Sequence, residues 1–334
     1  MTIWLFPIEP LEERYSEQWY RWFPDVLRRL GEEVVVVDGK RLASSITQGE
    51  FLDVIDTHHY KATQLAAFTK DLRSGRVASG DTVLLLDAWN PAITSLAYMR
   101  DLGTVHFKLA GCWHAGSYDP WDFLSRSDDF VDAAAGAEQS WLDSLDVSFV
   151  ATEFHRSMLA SKRGRFEKIR VTGFPLYVEW AFHNEPWSPR PRRVVFPHRL
   201  APEKAPYLFD QLRDHYVAKY GETDTEWVYT KKVCQSKAEY YTLLGNSRVA
   251  VSFAKQETWG IAMLEAASLG CYPITPPALS YPEIFGNAWT ASSIDDYARQ
   301  VHHALAQPLP YDGGRLTDWE NAIGNMLEEI KRLQ

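Results

Sequence analysis

Short apolar runs alternate with segments of helical periodicity along most of the chain. Two of the runs, "EEVVVVDG" and "TVLLLDAW", contain unbroken stretches of apolar side chains, so we predict strands that are buried on both faces. Between them, residues 60–73 have the apolar spacing of a helix that covers a sheet. The pattern predicts an α/β protein with doubly wound parallel sheets.

The alternation breaks once and then restarts. Residues 173–193, "GFPLYVEWAFHNEPWSPRPRR", are rich in Pro and Trp and follow neither the strand nor the helix period. We therefore predict a linker over residues 176–191, between a first domain at residues 1–175 and a second at residues 192–310. A chain of 334 residues also exceeds what one hydrophobic core usually supports, which favours two domains.

The last segment, residues 311–334, predicts a terminal helix. Thr317 and Glu320 stand three positions apart in "TDWE", the pattern of a capping box, and apolar residues then recur on one helical face. We expect this helix to pack back on the first domain.

Composition narrows the class of protein. The net charge of −9 offers no general attraction to nucleic acid or anionic membranes. Cys112, Cys234 and Cys271 are widely spaced, so we predict free, buried thiols and neither a disulfide framework nor a zinc site. The chain has no membrane-spanning run or signal peptide, so we expect a cytoplasmic protein (in the host cytoplasm if viral) with no stable membrane association.

One segment poses a chemical question. Residues 252–274, "SFAKQETWGIAMLEAASLGCYPI", indicate a strand, a short loop and a buried helix that contains Glu265, eight positions after Glu257. A carboxylate in a helix that is apolar on nearly every face is unfavourable unless something hydrogen-bonds to it, so a protein partner or a ligand must satisfy Glu265. Gly260, near the helix start, would let a ligand approach the backbone, and helix N-termini at strand ends favour phosphates.

The same segment carries a resemblance. "ETWGIAMLEAASLGCYPI" resembles the E-x7-E segment of the family 4 retaining glycosyltransferases, and "FPHRLAPEKAP" is similar to their "GRL-x-PEKG" loop. "VSFVATEFHRSML" and "KAEYYTLLGNSRVAVSFA" continue the likeness, in the family's order, across about residues 145–290. The opening of the chain also resembles small glycosyltransferases of bacteriophages and bacteria. The resemblance implies the GT-B fold, in which two Rossmann-like doubly wound domains face each other across a cleft.

The resemblance implies roles for individual residues in binding a nucleotide-sugar donor. Glu265 matches the carboxylate that holds the ribose hydroxyls, and Glu257 matches the one that contacts hydroxyls of the transferred sugar. Arg199 and Lys204 match the cations that neutralise the departing diphosphate. These residue types suit the roles, because carboxylates accept hydrogen bonds from diols and cations stabilise a phosphate that leaves. The neighbours of Glu257 complete the predicted donor site: Thr258, Trp259 and Gly260.

The first domain offers further candidates. His114 follows the predicted strand "VHFKLA", where the family often has a histidine that faces the donor sugar, so it is a catalytic candidate; a structural histidine is the alternative. Asp119 and Trp121 follow in the same loop. Near the N-terminus, the candidates for acceptor binding are Arg14, Tyr15 and Trp19. The alternative is that they are ordinary residues of an amphipathic helix.

Three departures from the family pattern affect these assignments, one of them being "VTGFP" in place of the usual Asn-Gly turn. The segment "FPIEPLEERYSEQW" replaces the glycine-rich loop that usually follows the first strand, so this segment faces either donor or acceptor. Thr258 stands where a glycine is usual.

The predicted function is a retaining glycosyl transfer from a nucleotide sugar, with UDP-glucose as the expected donor and with no metal or other cofactor. The resemblance to phage glycosyltransferases implies a hydroxymethylated pyrimidine in phage DNA as the leading acceptor, and an extruded base would need stacking aromatics, of which this chain has many, including 13 Trp residues. A saccharide or glycoconjugate acceptor is the first alternative. A nucleotide-sugar 2-epimerase and a non-catalytic nucleotide-binding protein are the others. The oligomeric state stays open.

Overall fold

The computed structural model describes residues 1–11, 14–42, 53–126, 128–178, 190–312 and 319–334. The chain divides into two compact units, Met1–Pro175 with Trp319–Gln334, and Leu176–Asp318. Most of the predicted linker lies outside the described residues, and so do Thr317 of the predicted capping box and two residues of the segment after the first strand.

Each unit contains a parallel sheet. The strands are β1 (Thr2–Phe6), β2 (Glu33–Val36), β3 (Thr82–Leu85), β4 (Lys108–Cys112), β5 (Val147–Val150), β6 (Ile169–Val171), β7 (Arg193–Phe196), β8 (Glu226–Tyr229), β9 (Val249–Val251) and β10 (Tyr272–Ile274). In the described residues the first sheet has the order β2-β1-β3-β4-β5-β6, and the second has the order β10-β9-β7-β8. All strand pairs are parallel. The predicted α/β class with parallel sheets is confirmed.

The helices connect these strands. They are α1 (Tyr15–Arg29), α2 (Val54–Arg73), α3 (Ala92–Leu102), α4 (Val131–Ser144), α5 (Glu153–Arg163), α6 (Tyr207–Tyr220), α7 (Thr230–Val233), α8 (Lys237–Gly245), α9 (Ile261–Ser268), α10 (Tyr281–Phe285), α11 (Ile294–Leu305) and α12 (Trp319–Lys331). None of the helices in the described ranges combines the length and apolar character needed to span a bilayer.

Three expectations from the sequence need correction. Strand β2 is only partly buried, because it lies at the edge of its sheet and has a neighbouring strand on one side alone. Helix α2 begins at Val54, before the predicted residue 60, because the Asp53 side chain caps it by accepting from the backbone N–H groups of Ile55 and Asp56 at 3.0 and 2.9 Å. Cys234 is half-buried; it directly follows the short helix α7, whose last residue, Val233, is 54% exposed.

Helix α12 belongs to the first unit. Ile323, Met326 and Ile330 are buried, and they lie on one face of the helix. At the border of that face, the Arg170 guanidinium donates to the Glu329 carboxylate at 2.9 Å. Apolar contact and a charged hydrogen bond therefore both hold α12 within this unit.

The second sheet has its core beneath α6 and α11. Val194, Phe196 and Val251 on the strands pack with Phe209 of α6 and Val301 of α11. Helix α9 contacts both β9 and β10, and α8 packs against α9. This packing fixes the loops that leave the carboxyl ends of β7 and β9.

Candidate functional site

The loops after β7 and β9 leave the same edge of the second sheet. Strands β7 and β9 are parallel neighbours, with Val194 opposite Val249. The loop after β7 contains Arg199 and Lys204, and the loop after β9 leads to Glu257 and the start of α9. The Lys255 N–H donates to the Glu203 carbonyl at 2.8 Å, which ties the two loops together.

Lys204 and Glu257 form the centre of this site. The Lys204 Nζ lies 3.2 Å from Glu257 Oε2 and donates to the Gln256 carbonyl at 2.5 Å. Glu257 Oε1 accepts from the Gly260 N–H at 2.9 Å, so the carboxylate also holds the residue before α9. Burial raises the pKa of Glu257, but the positive charge of Lys204, together with the hydrogen bond from the Gly260 N–H, outweighs burial and lowers the pKa. Glu257 is therefore ionised and keeps 15% of its side chain exposed.

Arg199 lies on the same loop as Lys204 and is held by Glu203. The Arg199 Nε donates to Glu203 Oε1 at 3.0 Å, and a second guanidinium nitrogen contacts the same oxygen. Burial raises the pKa of Glu203. The hydrogen bond from its own backbone N–H and the hydrogen bond and charge of Arg199 have a larger, opposite effect, so the pKa lies below its usual value. The Arg199 side chain is 42% exposed, whereas that of Glu203 is 2% exposed. A buried carboxylate thus orients a guanidinium that reaches solvent.

Glu265 has protein partners on α8. Lys237 forms an ion pair with Glu265 Oε1, and the Tyr241 hydroxyl donates to the same oxygen at 3.0 Å. Glu265 is only 2% exposed, so these bonds compensate for the loss of hydration. Between the two alternatives drawn from the sequence, the structure supplies a protein partner; binding of ribose by Glu265 stays a prediction.

The three neighbours of Glu257 differ in their surroundings. Thr258 is half-buried and Trp259 is 7% exposed. Gly260 has φ of +83°, a conformation that favours glycine, and a Cβ there would lie 3.3 Å from Ile284 and 3.4 Å from Tyr281. Backbone conformation and close packing therefore account for this glycine.

A buried polar chain next to this site was missed by the sequence reasoning. His198 Nε2 lies 2.8 Å from Ser252 Oγ, which lies 2.7 Å from the Tyr281 hydroxyl. Burial and then the charge of Lys204 lower the pKa of His198 to about 3, so the imidazole is neutral at neutral pH. The signal was available in part, because His198 and Ser252 are polar residues at the ends of two apolar strands.

In the first unit, His114 lies among aromatic side chains. His114 Nε2 contacts the Leu86 carbonyl at 2.7 Å, and Nδ1 contacts the Tyr15 hydroxyl at 3.1 Å. Because a carbonyl only accepts, we assign the proton to Nε2 and a hydrogen bond from Tyr15 to Nδ1. The ring of Trp19 lies 5.2 Å from that of His114. The structure therefore brings together three predicted residues, and burial lowers the pKa of His114.

The other candidates of the first unit are less concentrated. Arg14 directly precedes α1 and is half-buried. Asp119 is buried, and its carboxylate accepts from the Trp121 N–H at 2.9 Å, which stabilises a turn. Trp121 itself is 41% exposed.

A partly buried ion pair close to His114 was also missed. Lys61 Nζ lies 2.7 Å from Asp87 Oδ2 and donates to the Trp89 carbonyl at 2.5 Å. Asp87 raises the pKa of His114, against the larger opposite effect of burial. The available signal was an aspartate directly after the apolar run "TVLLL", at the carboxyl end of β3.

The described residues contain no group of three or more His, Cys, Asp or Glu side chains placed to hold a metal ion. The chemistry that the geometry offers is electrostatic. Two cations and one ionised carboxylate lie on adjoining loops at the start of a helix, an arrangement suited to an anionic ligand that also carries hydroxyls.

The chain was compared with protein-family models and with known proteins. No protein-family model matches the chain. A tRNA-queuosine alpha-mannosyltransferase of Drosophila melanogaster is 34% identical over 149 residues, which cover 38% of this chain and 40% of the fly protein. The match thus spans less than half of that relative.

Solved structures match over the whole length. Sucrose-phosphate synthase from Thermosynechococcus elongatus has a TM-score of 0.61 at 13% identity, covering 100% of this chain and 94% of that one. The chain has the GT-B fold. A second GT-B structure, the catalytic domain of starch synthase IV from Arabidopsis thaliana bound to ADP and acarbose, has a TM-score of 0.59 at 11% identity and covers 99% and 97% of the two chains. At these identities the likeness establishes the fold alone.

Proposed function

We propose that this protein is a glycosyltransferase that moves a hexose from a nucleotide sugar to an acceptor hydroxyl. The observation that carries the proposal is the contact between Lys204 and Glu257 at the start of α9, with Arg199 on the same loop. The GT-B fold supports it, and so does the glycosyltransferase name of the fly relative. A nucleotide is bound in the starch synthase structure, which supports a nucleotide-sugar donor.

In this proposal the two cations bind the donor diphosphate. Lys204 and Arg199 have lost part of their hydration to the protein, and a preorganised cation stabilises charge that develops on a leaving group. The first N–H groups of α9 add a favourable dipole. Since Lys204 already pairs with Glu257, the diphosphate shares this lysine with the carboxylate.

Glu257 is the proposed contact for hydroxyls of the transferred sugar. It is ionised, it is held by Gly260 and Lys204, and part of its side chain reaches solvent. Thr258 and Trp259 are proposed to complete the donor site, and Glu265 to hold the ribose. For a retaining transfer, the leaving phosphate would take the proton of the acceptor hydroxyl on the same face of the sugar.

The carboxyl edge of the first sheet is the proposed acceptor side. His114, Tyr15 and Trp19 adjoin there, with Arg14 before α1. Both ring nitrogens of His114 are engaged by the protein. A catalytic contact from the imidazole therefore requires one of these two hydrogen bonds to break.

We propose a modified base in nucleic acid as the first acceptor to test, a wider class than the modified DNA expected from the sequence, because the name of the fly relative places its acceptor in tRNA. A hydroxymethylated pyrimidine in DNA belongs to the same class of acceptor. A saccharide or glycoconjugate is the alternative, and the net charge of −9 favours it, since phosphate backbones are repelled.

The test is a transfer assay with a matched set of donors and acceptors. UDP-glucose is the first donor, followed by GDP-mannose and ADP-glucose. The acceptors are duplexes with and without hydroxymethylcytosine, tRNA with and without queuosine, and simple saccharides, and products are read by mass spectrometry. Transfer that Lys204→Met abolishes supports the proposal. Conversion of the donor sugar to its 2-epimer without acceptor would instead indicate the epimerase, and binding without turnover would indicate a non-catalytic protein.

A further inference from the structure

Glu265 is accompanied by an unusual cation. Both Lys237 and Tyr241, from α8, bond to Oε1 of Glu265. The Lys237 Nζ also lies 4.7 Å from the centre of the Tyr241 ring and 4.8 Å from that of Tyr240. The ammonium group is thus held on two sides, by a carboxylate and by two aromatic faces.

The position of Lys237 is unfavourable for a lysine that serves only α8. Ser236 caps α8 by accepting from the Glu239 N–H at 3.2 Å, so Lys237 is the first helical residue. A cation there opposes the helix dipole, which favours negative charge at this end. The attraction of Glu265 offsets this penalty, so the pairing with Glu265 accounts for a lysine at this position.

The two partners differ in exposure. The Glu265 side chain is 3% exposed, whereas that of Lys237 is 27% exposed. An ammonium group carries three N–H donors, and the ion pair with Glu265 uses one of them. Of the two partners, Lys237 is therefore the one whose side chain reaches solvent, next to a carboxylate that is almost fully buried.

We infer that Lys237 acts with Glu265 to bind the vicinal diol of a ribose, with the lysine donating to one hydroxyl oxygen while the carboxylate accepts from a hydroxyl. Each hydroxyl both donates and accepts, so a diol satisfies a carboxylate and an ammonium at once, whereas a deoxyribose leaves one of them unpaired. The inference rests on the proposed nucleotide-sugar site. The resemblance assigns only Glu265 to the ribose, so Lys237 is a new specificity-determining residue.

A purely structural Lys237 predicts something different. If the lysine only neutralises Glu265, its loss lowers stability and leaves the preference between ribose and deoxyribose unchanged. The ratio of the two affinities therefore separates the roles, because a general loss of folding or affinity cancels from it.

The experiment is calorimetric titration of the full chain with UDP, 2′-deoxy-UDP and 3′-deoxy-UDP. ADP and GDP, with their deoxy forms, replace UDP if they bind better. The variants are Lys237→Met and Lys237→Arg, with Lys232→Met as the control, since Lys232 is an exposed lysine that contacts the Tyr229 ring. Melting curves of each variant report folding.

We expect the natural protein to prefer the ribose form by about tenfold or more, as for a hydrogen bond to a charged group. Lys237→Met should remove most of this preference, Lys237→Arg should retain part of it, and Lys232→Met should leave it unchanged. An unchanged ratio in Lys237→Met, or no ribose preference in the natural protein, overturns the inference while the proposed function stands. If no nucleoside diphosphate binds, the proposed function fails as well.

Discussion

The candidate residues of the two units differ in how far their polar side chains, once paired within the protein, remain exposed to solvent. In the second unit, Glu257 and Arg199 are paired with protein groups and still expose 15% and 42% of their side chains. In the first unit, both nitrogens of His114 are bonded to the protein and aromatic rings surround the imidazole. The second unit therefore presents charged groups to solvent, whereas the imidazole of His114 in the first unit has its polar atoms bonded within the protein.

The largest effect that would sharpen this contrast is expected from Lys204→Met. This change removes the cation that we assign to the leaving diphosphate and leaves Glu257 without its counter-ion. Loss of one preorganised electrostatic contact lowers turnover by about 100- to 1,000-fold in other enzymes. Steady-state kinetics of the identified transfer reaction, with Lys232→Met as the matched control, measure the effect. Equal rates for the two variants would exclude Lys204 from the site.

Glu257→Gln is expected to have the next largest effect, with turnover reduced by about tenfold or more through loss of a charged hydrogen bond to the sugar. The same variant tests the charge of Glu257 in the fold. Because the pKa of Glu257 is lowered in the folded protein, its charge adds stability above the unfolded pKa, and this contribution is lost as pH falls through the folded pKa.

Urea unfolding between pH 6 and 3 checks this pH dependence. The natural protein should lose more stability over that range than Glu257→Gln does. Parallel curves for the two proteins would show that the pairing with Lys204 adds nothing to folding.

A different effect, on the pH dependence of stability, is expected at His198. Its pKa falls from an ordinary value near 6.5 to about 3 on folding, so the unfolded chain binds a proton first as the solution is acidified. The contribution of neutral His198 to the free energy of unfolding is therefore fully present above pH 6.5 and should decline between that pH and about 3. His198→Gln keeps a polar side chain that does not titrate, and its denaturant midpoint should fall less steeply between pH 7 and 4. An identical slope would contradict a buried neutral histidine.

The smallest effect is expected from Tyr15→Phe in the first unit. The change removes the hydrogen bond to His114 and should lower the free energy of unfolding by about 1 kcal/mol. Nucleotide affinity should stay within twofold of the natural value, because the phenol is assigned to the acceptor side. A loss of nucleotide affinity without loss of stability would place Tyr15 on the donor instead, and would break the contrast between the units.

The sequence could predict features that depend on local pattern. Apolar runs located the parallel strands, and the two segments that resemble family 4 glycosyltransferases located the loops that carry Lys204 and Glu257. The sequence could not predict contacts between side chains on distant segments. Lys237 contacts Glu265 because α8 packs on α9. His198 contacts Ser252 because β7 and β9 are neighbours in the sheet. The early start of α2 was missed because a single cap, Asp53, decided it.

Hydrogen exchange with and without a nucleoside diphosphate tests the central claim most directly. UDP, ADP and GDP are each added at saturating concentration, and amide protection is read by mass spectrometry along the full chain. We predict that at least one of them protects residues 198–206 and 252–265, the loops after β7 and β9 with the start of α9. Protection confined to other segments, or none with any of the three, would contradict a nucleotide site at the carboxyl edge of the second sheet.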